Sequence, residues 1–293
     1  MNRRMVTSML VALVASVACG DDGASHAEGS GGDFAVGGAD NAGGSGGAGG
    51  ATETVVWVGA HPDDELYAAP WLAELCLEQE TQCKLLVLTR GEAGNCKLPG
   101  GCLPDLASVR ESELAAAAAL LGATLVHWDL GDATSPSVQG VADQWSGLAG
   151  GSDALVDQVA AELAGADRVV TFDPRHGDSC HPDHRVAGAL AVTAAVEAGV
   201  SPDRVHLVTS MGIVQPAVAA DPALWFYDAS ATLTATGEPA WATLIDVLQV
   251  YSSQFTPDEV AQVATVDTTL QRTWLVDADD FDADHPQYVG LCP

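Results

Sequence analysis

The sequence predicts an α/β fold, a parallel sheet with helices on both faces, forming a single domain over residues 54–293. Three observations carry this. Short, nearly continuous apolar runs recur along the chain, each of the length of a buried parallel strand. Helix-length stretches separate them, several closed by glycine. The two alternate at about 30-residue spacing, which implies right-handed crossovers within one sheet. With 47% hydrophobic content in 293 residues, the chain can bury a substantial core.

Residues 1–53 stand apart from that fold. Met1-Asn2-Arg3-Arg4 is basic, and Met5–Val17 is apolar, of signal-peptide length and too short to span a bilayer. Ser16-Val17-Ala18-Cys19-Gly20 resembles a bacterial lipobox, although the usual Leu three residues before the Cys is missing. Residues 1–19 are therefore expected to be a signal peptide of the lipoprotein type, with an ordinary signal peptide cut nearby as the alternative. Export follows from either, to the cell envelope or beyond, and Cys19 would be the one point of membrane attachment. Residues 20–53, rich in Gly, Ser, Ala and Asp without apolar periodicity, read as a flexible linker.

From Thr54 the elements follow in order. Thr54–Ala60 is the first strand and leads into His61-Pro62-Asp63-Asp64-Glu65. Leu66, Ala69, Leu72, Ala73 and Cys76 share one face of a helix expected over about 65–79. Lys84–Thr89 is the second strand, ending in the Gly-containing loop Arg90–Asn95. Residues 96–105 form a Pro/Gly/Cys loop, and an Ala-rich helix runs over about 106–121 to Gly122. Thr124–Trp128 is the third strand, followed by Asp129-Leu130-Gly131-Asp132; the polar, Gly-rich stretch 133–151 is expected as a lid. Ser152 is placed to cap a helix ending near Ala164, Arg168–Phe172 is the fourth strand, and a helix after His184 runs to about Ala198. Val205–Thr209 is the fifth strand. Beyond it, extra strands are expected within 211–240, a helix over 240–253 and a short helix from Pro257.

Charge and cysteines bound the function. Forty Asp+Glu against 11 Lys+Arg give a net charge of −29, a surface that repels phosphate backbones and disfavours nucleic-acid binding. Setting Cys19 aside, six of the seven cysteines remain, and six allow 15 complete pairings. The simplest is local: Cys76–Cys83, Cys96–Cys102 and then Cys180–Cys292, the last pinning the region beside His181 to the C-terminal tail. No C-x-x-C spacing points to a cysteine metal site.

Chemistry concentrates in two clusters. His61-Pro62-Asp63-Asp64-Glu65 follows the first strand, and His181-Pro182-Asp183-His184 comes shortly after the fourth; three of the eight histidines fall here. An open α/β sheet binds its ligands outside the carboxyl ends of its strands, so the two clusters are expected to meet there. A catalytic zinc takes three His or carboxylate ligands and keeps one position for water. His61, Asp64 and His184 make such a set. Asp63 is then left as general base, His181 as oxyanion stabiliser or proton donor, and Asp183 as the partner orienting a histidine. Taken alone, an Asp-Asp-Glu is an ordinary helix N-terminal turn and an H-x-x-H pair is often structural. Their joint occurrence at two strand ends is what favours the metal site. A metallo-phosphoesterase is disfavoured by a ligand set sized for one metal and by the scarcity of basic residues. A non-catalytic carbohydrate-binding protein has no use for a base beside its metal.

Ala60–Glu65 and His181–His184 resemble the two signatures of the PIG-L/LmbE family of zinc-dependent N-deacetylases. Leu88–Gly94, Arg110-Glu111-Ser112-Glu113-Leu114 with Leu121-Gly122, and Tyr251-Ser252-Ser253-Gln254 are similar to further landmarks of that family. The resemblance covers about 54–255 and implies an LmbE-like, Rossmann-like fold. It implies an amidohydrolase acting on a linear amide, removing acetyl from an N-acetylglucosamine-like sugar. It implies Zn2+ on His61, Asp64 and His184, with Asp63 as base and His181 stabilising the transition state; another divalent metal also suits these ligands. It adds Arg110 and Asp132 as substrate contacts, with a surface pairing of Arg110 to Glu113, and Asp129 in place of Asp132, as the competing readings. The sequence departs from the family at Arg90, where Asp is more usual, and in residues 94–105, which look like a disulfide-bearing insertion.

Overall fold

The computed structural model describes residues 52–79, 81–133, 135–209, 223–281 and 292. The expected signal peptide, Cys19 and nearly all of the expected linker lie outside these residues. One seven-stranded sheet organises the chain, in the order β3-β2-β1-β4-β5-β7-β6. Its strands are β1 (Thr54–Gly59), β2 (Gln82–Val87), β3 (Thr124–His127), β4 (Arg168–Phe172), β5 (Val205–Val208), β6 (Trp225–Asp228) and β7 (Arg272–Asp277). The first five are mutually parallel, as the sequence predicts. β7 runs antiparallel to β5, and β6 antiparallel to β7, so the sheet as a whole is mixed. β7 lies beyond the expected extra strands. It returns next to β5 after two helices and offers its buried Trp274, Leu275 and Val276 to the core.

Alternate residues of β1 serve the two faces. Val55 and Trp57 join the core under α1 (Ala69–Ala73), α2 (Leu106–Leu120), α6 (Ala240–Val250) and α7 (Pro257–Ala264). Val56 and Val58 join the core under α3 (Val138–Ala149), α4 (Ser152–Leu163) and α5 (Pro182–Glu197). β1 pairs with β2 on one side and β4 on the other. The chain moves outward from β1 through β2 to β3, then returns to start again at β4. That reversal leaves a crevice at the carboxyl ends of β1 and β4, where open α/β sheets bind ligands.

Three expectations need correction. The helix expected over 65–79 is broken into a 3-10 turn (Asp64–Tyr67), the five-residue α1 and a π turn (Glu74–Glu78). Pro70 has no N–H to continue a ladder and is tolerated only in a first turn, so the helix restarts there. Most of the expected lid is α3, capped by the Ser137 side chain, which accepts from the Gly140 N–H. Val141 and Trp145, four apart, bury completely, and the Trp145 indole donates to the Gly131 carbonyl at 3.0 Å. Ser152 is the first residue of α4 rather than its cap; Gly151 holds the capping position. The disulfides are Cys76–Cys83, Cys96–Cys102 and Cys180–Cys292, the pairing the spacing favours.

Candidate metal and catalytic site

The site is built from the ends of β1 and β4. Past β1 the chain turns sharply: Asp63 has φ 100°, a left-handed conformation rare for a residue with a side chain. Such strain persists where surrounding contacts over-determine it, and it clusters at functional sites. The turn folds Asp64 back, so that its Oδ2 accepts from the Ala60 and His61 N–H groups at 2.6 and 2.8 Å. Its Oδ1 is thereby aimed across the crevice.

Past β4, the Asp173 carboxylate caps the next turn, accepting from the N–H groups of Arg175 and His176 at 2.8 Å. That turn delivers the Gly177 carbonyl to His184 Nδ1 at 2.7 Å. His184 lies in the first turn of α5 and stacks on Phe172, centroids 4.3 Å apart and planes 6° from parallel. α5 can approach β4 this closely because residue 188 is glycine; a Cβ there would sit 2.3 Å from the Phe172 carbonyl oxygen.

Three acceptor atoms from the two strand ends then face one another. His184 Nε2 is 3.1 Å from Asp64 Oδ1, His61 Nδ1 is 3.5 Å from the same oxygen, and the two imidazole nitrogens are 3.2 Å apart. A tetrahedral ion bound at about 2.0–2.1 Å separates its ligand atoms by about 3.3–3.4 Å, so the triangle fits a small divalent metal such as zinc. The far side of each group is tied. Asp64 is held by backbone N–H groups and His184 Nδ1 by Gly177. His61 Nε2 lies 3.0 Å from Asp132 Oδ1 and 3.2 Å from Asp183 Oδ2. A proton on the tied nitrogen of each imidazole leaves the facing nitrogen with its lone pair, the arrangement that metal-binding histidines use. Two further groupings with metal-ligand reach share His61: His61 with His181 and His184, and His61 with Asp132 and Asp183. The second is the hydrogen-bonded backing of the first triangle.

Electrostatics follow from burial and these contacts. Burial opposes ionisation of Asp64, but His184 and His61 outweigh it and hold the carboxyl well below its usual range. Burial opposes the charge on His61 as well; Asp132 and Asp64 reverse this and raise its pKa well above the ordinary value. Asp63 is pushed up to about 6 by burial, with Arg110 pulling the other way. His181, which caps α5, is pushed down to about 3 by burial and by the neighbouring His61 and His184. Glu65, wholly buried, is pushed up to about 8 by burial, against the pull of the Tyr251 hydroxyl that donates to it at 2.6 Å.

All eight residues singled out in the sequence lie in or beside this crevice. Asp183 contacts His61 and also accepts from the Ala133 N–H at 3.0 Å. Asp132 supports His61 and accepts from the Ala93 N–H at 2.9 Å, while the competing Asp129 is exposed. Arg110 is not a surface partner of Glu113. It is buried, 2.7 Å from Asp63 Oδ1. Glu113 turns instead to the C-terminal segment, accepting from the Ser253 N–H and hydroxyl at 2.8 and 2.6 Å and from the Ser252 hydroxyl at 3.1 Å. The roles of Tyr251, Glu113 and Asp173 were not assigned from sequence. The signals were Tyr251–Gln254 and Glu113, each within a landmark but without a role; Asp173 had none.

Fold and donor set together define an open α/β protein with a candidate divalent-metal site at its topological switch point. The family model PIG-L, described as GlcNAc-PI de-N-acetylase, matches residues 56–195. No curated protein matches the sequence. Among solved structures, the 4-carboxy-2-hydroxymuconate hydratase GalB from Pseudomonas putida KT2440 is similar at 16% identity and TM-score 0.53, over 77% of this chain and 95% of its own. The pseudoaglycone deacetylase Dbv21 is similar at 17% identity and TM-score 0.52, over 77% of this chain and 96% of its own. At such identities the likeness defines the fold, and a hydratase and a deacetylase on one fold show that the reaction must be argued from the site.

Proposed function

We propose that the protein is a metal-dependent N-deacetylase, a hydrolase that removes acetyl from an N-acetylglucosamine-like amino sugar or a related linear amide. One observation carries the reading. His61 Nδ1, Asp64 Oδ1 and His184 Nε2 form a triangle of 3.1 to 3.5 Å whose members are fixed from behind, with the acidic Asp63 next to it. A zinc ion held there would polarise the amide carbonyl and bring the pKa of water to near 7.

The chain's own residues supply the proton transfers. Asp63 is the base: Arg110 occupies Oδ1, and Oδ2 takes the proton of the attacking water. Burial raises the Asp63 carboxyl above the ordinary range, against the pull of Arg110, which favours its holding that proton. His181 is neutral there. Its Nδ1 accepts from the Asp183 N–H at 3.3 Å, which puts its own proton on Nε2 as a donor to the developing oxyanion. The water oxygen joins the carbonyl carbon, the C–N bond breaks, and the proton held by Asp63 passes to the departing nitrogen. The products are acetate and an amine.

We propose further that the protein is exported and held to an envelope membrane by lipid on Cys19, with residues 20–53 as the tether. The three disulfides support an oxidising compartment, and no described helix is long and apolar enough to cross a membrane. The test of the activity is acetate release from a panel of N-acetylated amino sugars by the zinc-loaded full chain. Acetate from the wild type and not from Asp63→Ala supports the reading. A zinc-loaded protein that binds such sugars equally well with and without Asp63, and releases nothing, would instead be a binding protein.

A further inference from the structure

We infer that Tyr67 is a positioning residue for the metal site: its hydroxyl, bonded to the Asp178 carboxylate, fixes the turn after β4 whose Gly177 carbonyl orients His184; the inference rests on the metal site of the reading above and not on its substrate. That turn is costly to hold. Gly177, Asp178 and Cys180 have φ of 52°, 67° and 65°, a left-handed region that residues with side chains seldom enter. Such a backbone persists only where contacts over-determine it. The Asp173 carboxylate caps the start of the turn, with Oδ2 also 3.0 Å from His176 Nδ1, and the Cys180–Cys292 disulfide ties its end. The middle is held from the other strand end. Tyr67 lies in the 3-10 turn after β1, and its hydroxyl donates to the buried Asp178 carboxylate.

The hold on the turn reaches the metal ligand directly. Gly177 is pressed against α5, where a Cβ on it would lie 2.7 Å from both the His184 Cβ and the Arg185 backbone nitrogen. Its carbonyl takes the His184 Nδ1 proton at 2.7 Å, which leaves Nε2 with its lone pair toward Asp64 and the metal position. A shift of the turn therefore turns the imidazole. The Tyr67 ring packs steeply on the stacked pair beside it, its centroid 5.4 Å from Phe172 and 6.3 Å from His184, at 72° and 70°. Ring and hydroxyl thus have separate tasks: the ring covers the Phe172–His184 stack, and the hydroxyl holds the turn. Burial first, and then the Asp178 charge, raise the Tyr67 pKa well above its ordinary value, which keeps the hydroxyl a donor.

The test is zinc affinity, by chelator competition at neutral pH, of the full chain carrying Tyr67→Phe, Asp178→Gly or both. Phenylalanine keeps the ring contacts and removes the hydroxyl; glycine keeps the left-handed backbone and removes the carboxylate. Tyr67→Phe should weaken zinc by about 10-fold. In the Asp178→Gly background the same change should cost nothing further. Zinc affinity of Tyr67→Phe within about twofold of the wild type, or losses that multiply in the double variant, would overturn the claim. A second readout needs no metal. In NMR of the metal-free chain the His184 Nδ1 proton should exchange with water about 10-fold faster in Tyr67→Phe, while the His206 Nδ1 proton, bonded to Asp277 Oδ1 at 2.7 Å, keeps its rate. A loosened fold would speed both, so equal acceleration of the two, or none at His184, refutes the positioning role. This exchange decides the claim if Asp178→Gly does not fold. Acetate release enters neither readout: a chain that binds zinc tightly and releases no acetate defeats the deacetylase reading alone. Wild type without a tight zinc site defeats the metal reading, and the His184 proton then decides whether Tyr67 holds the turn.

Discussion

Glu65→Gln should leave stability unchanged near pH 5 and raise it by about 3 kcal/mol at pH 8. Glu65 is wholly buried, accepts one hydrogen bond from Tyr251, and has a second oxygen, Oε2, without a partner. Its pKa stands at about 8 against an ordinary 4.5, so in the folded protein it is a neutral acid at physiological pH. For a carboxyl raised on folding, the unfolded chain loses its proton first. Stability therefore falls as pH rises from the unfolded value and levels off above the folded one. Over the whole window the loss amounts to about 5 kcal/mol, of which about 1 kcal/mol has accrued by pH 5 and about 3 kcal/mol by pH 7. Glutamine keeps the Tyr251 hydrogen bond and never ionises, but buries an amide with unmet donors at a cost of about 1 kcal/mol. The variant should thus equal the wild type near pH 5 and exceed it by about 3 kcal/mol at pH 8. Urea denaturation of the metal-free full chain, disulfides intact, measures this at half-unit steps from pH 5 to 9. Subtracting the two curves cancels the other titrating groups. A difference independent of pH would refute a neutral Glu65.

Other perturbations test separate parts of the site. Asp183→Asn and Asp132→Asn each remove one carboxylate from His61 Nε2 and should weaken zinc by about 10- to 100-fold in a chelator competition, without abolishing it. Gly91→Ala forces a Cβ into Arg110 at a left-handed φ and should destabilise by about 1–3 kcal/mol in a thermal melt, with a fall in kcat. Trp145→Ala, which empties the core under α3 and removes the hydrogen bond to the Gly131 carbonyl beside Asp132, should cost about 3–5 kcal/mol in the same melt, with zinc affinity in the folded fraction lowered no more than by Asp132→Asn.

What the sequence revealed and concealed has a physical pattern. β1 and β4 were legible because a parallel strand covered on both faces is nearly continuously apolar, as Val55–Val58 is throughout and Arg168–Phe172 is at Val169, Val170 and Phe172. The meeting of His61, Asp64 and His184 was legible because His61 and Asp64 share one turn and His184 opens a helix after another strand. α3 was missed because its two buried anchors, Val141 and Trp145, sit among Gln, Gly, Ala and Asp. The spacing of four was present but weak beside the polar composition. The broken helix after Glu65 was signalled by Pro70 and overridden by the apolar periodicity around it. The pairing of Tyr251 with Glu65 spans 186 residues, and that of Ser253 with Glu113 spans 140. Nothing local encodes such partners, since each residue looks like an ordinary surface polar group until the sheet brings α6 over α2. Arg110 taught the same lesson, because its burial beside Asp63, and not at the surface against Glu113, is a property of the fold.

The account stands on one metal held by His61, Asp64 and His184 and used for hydrolysis. The most direct measurement strips the full chain with a chelator, returns zinc in measured fractions, and follows bound metal and acetate release from an N-acetylated amino sugar together. The account predicts no release from the stripped protein, a rise in step with occupancy to a single equivalent, and no tight site in His184→Ala. Release by fully stripped protein, or a tight stoichiometric site that survives His184→Ala, would contradict it.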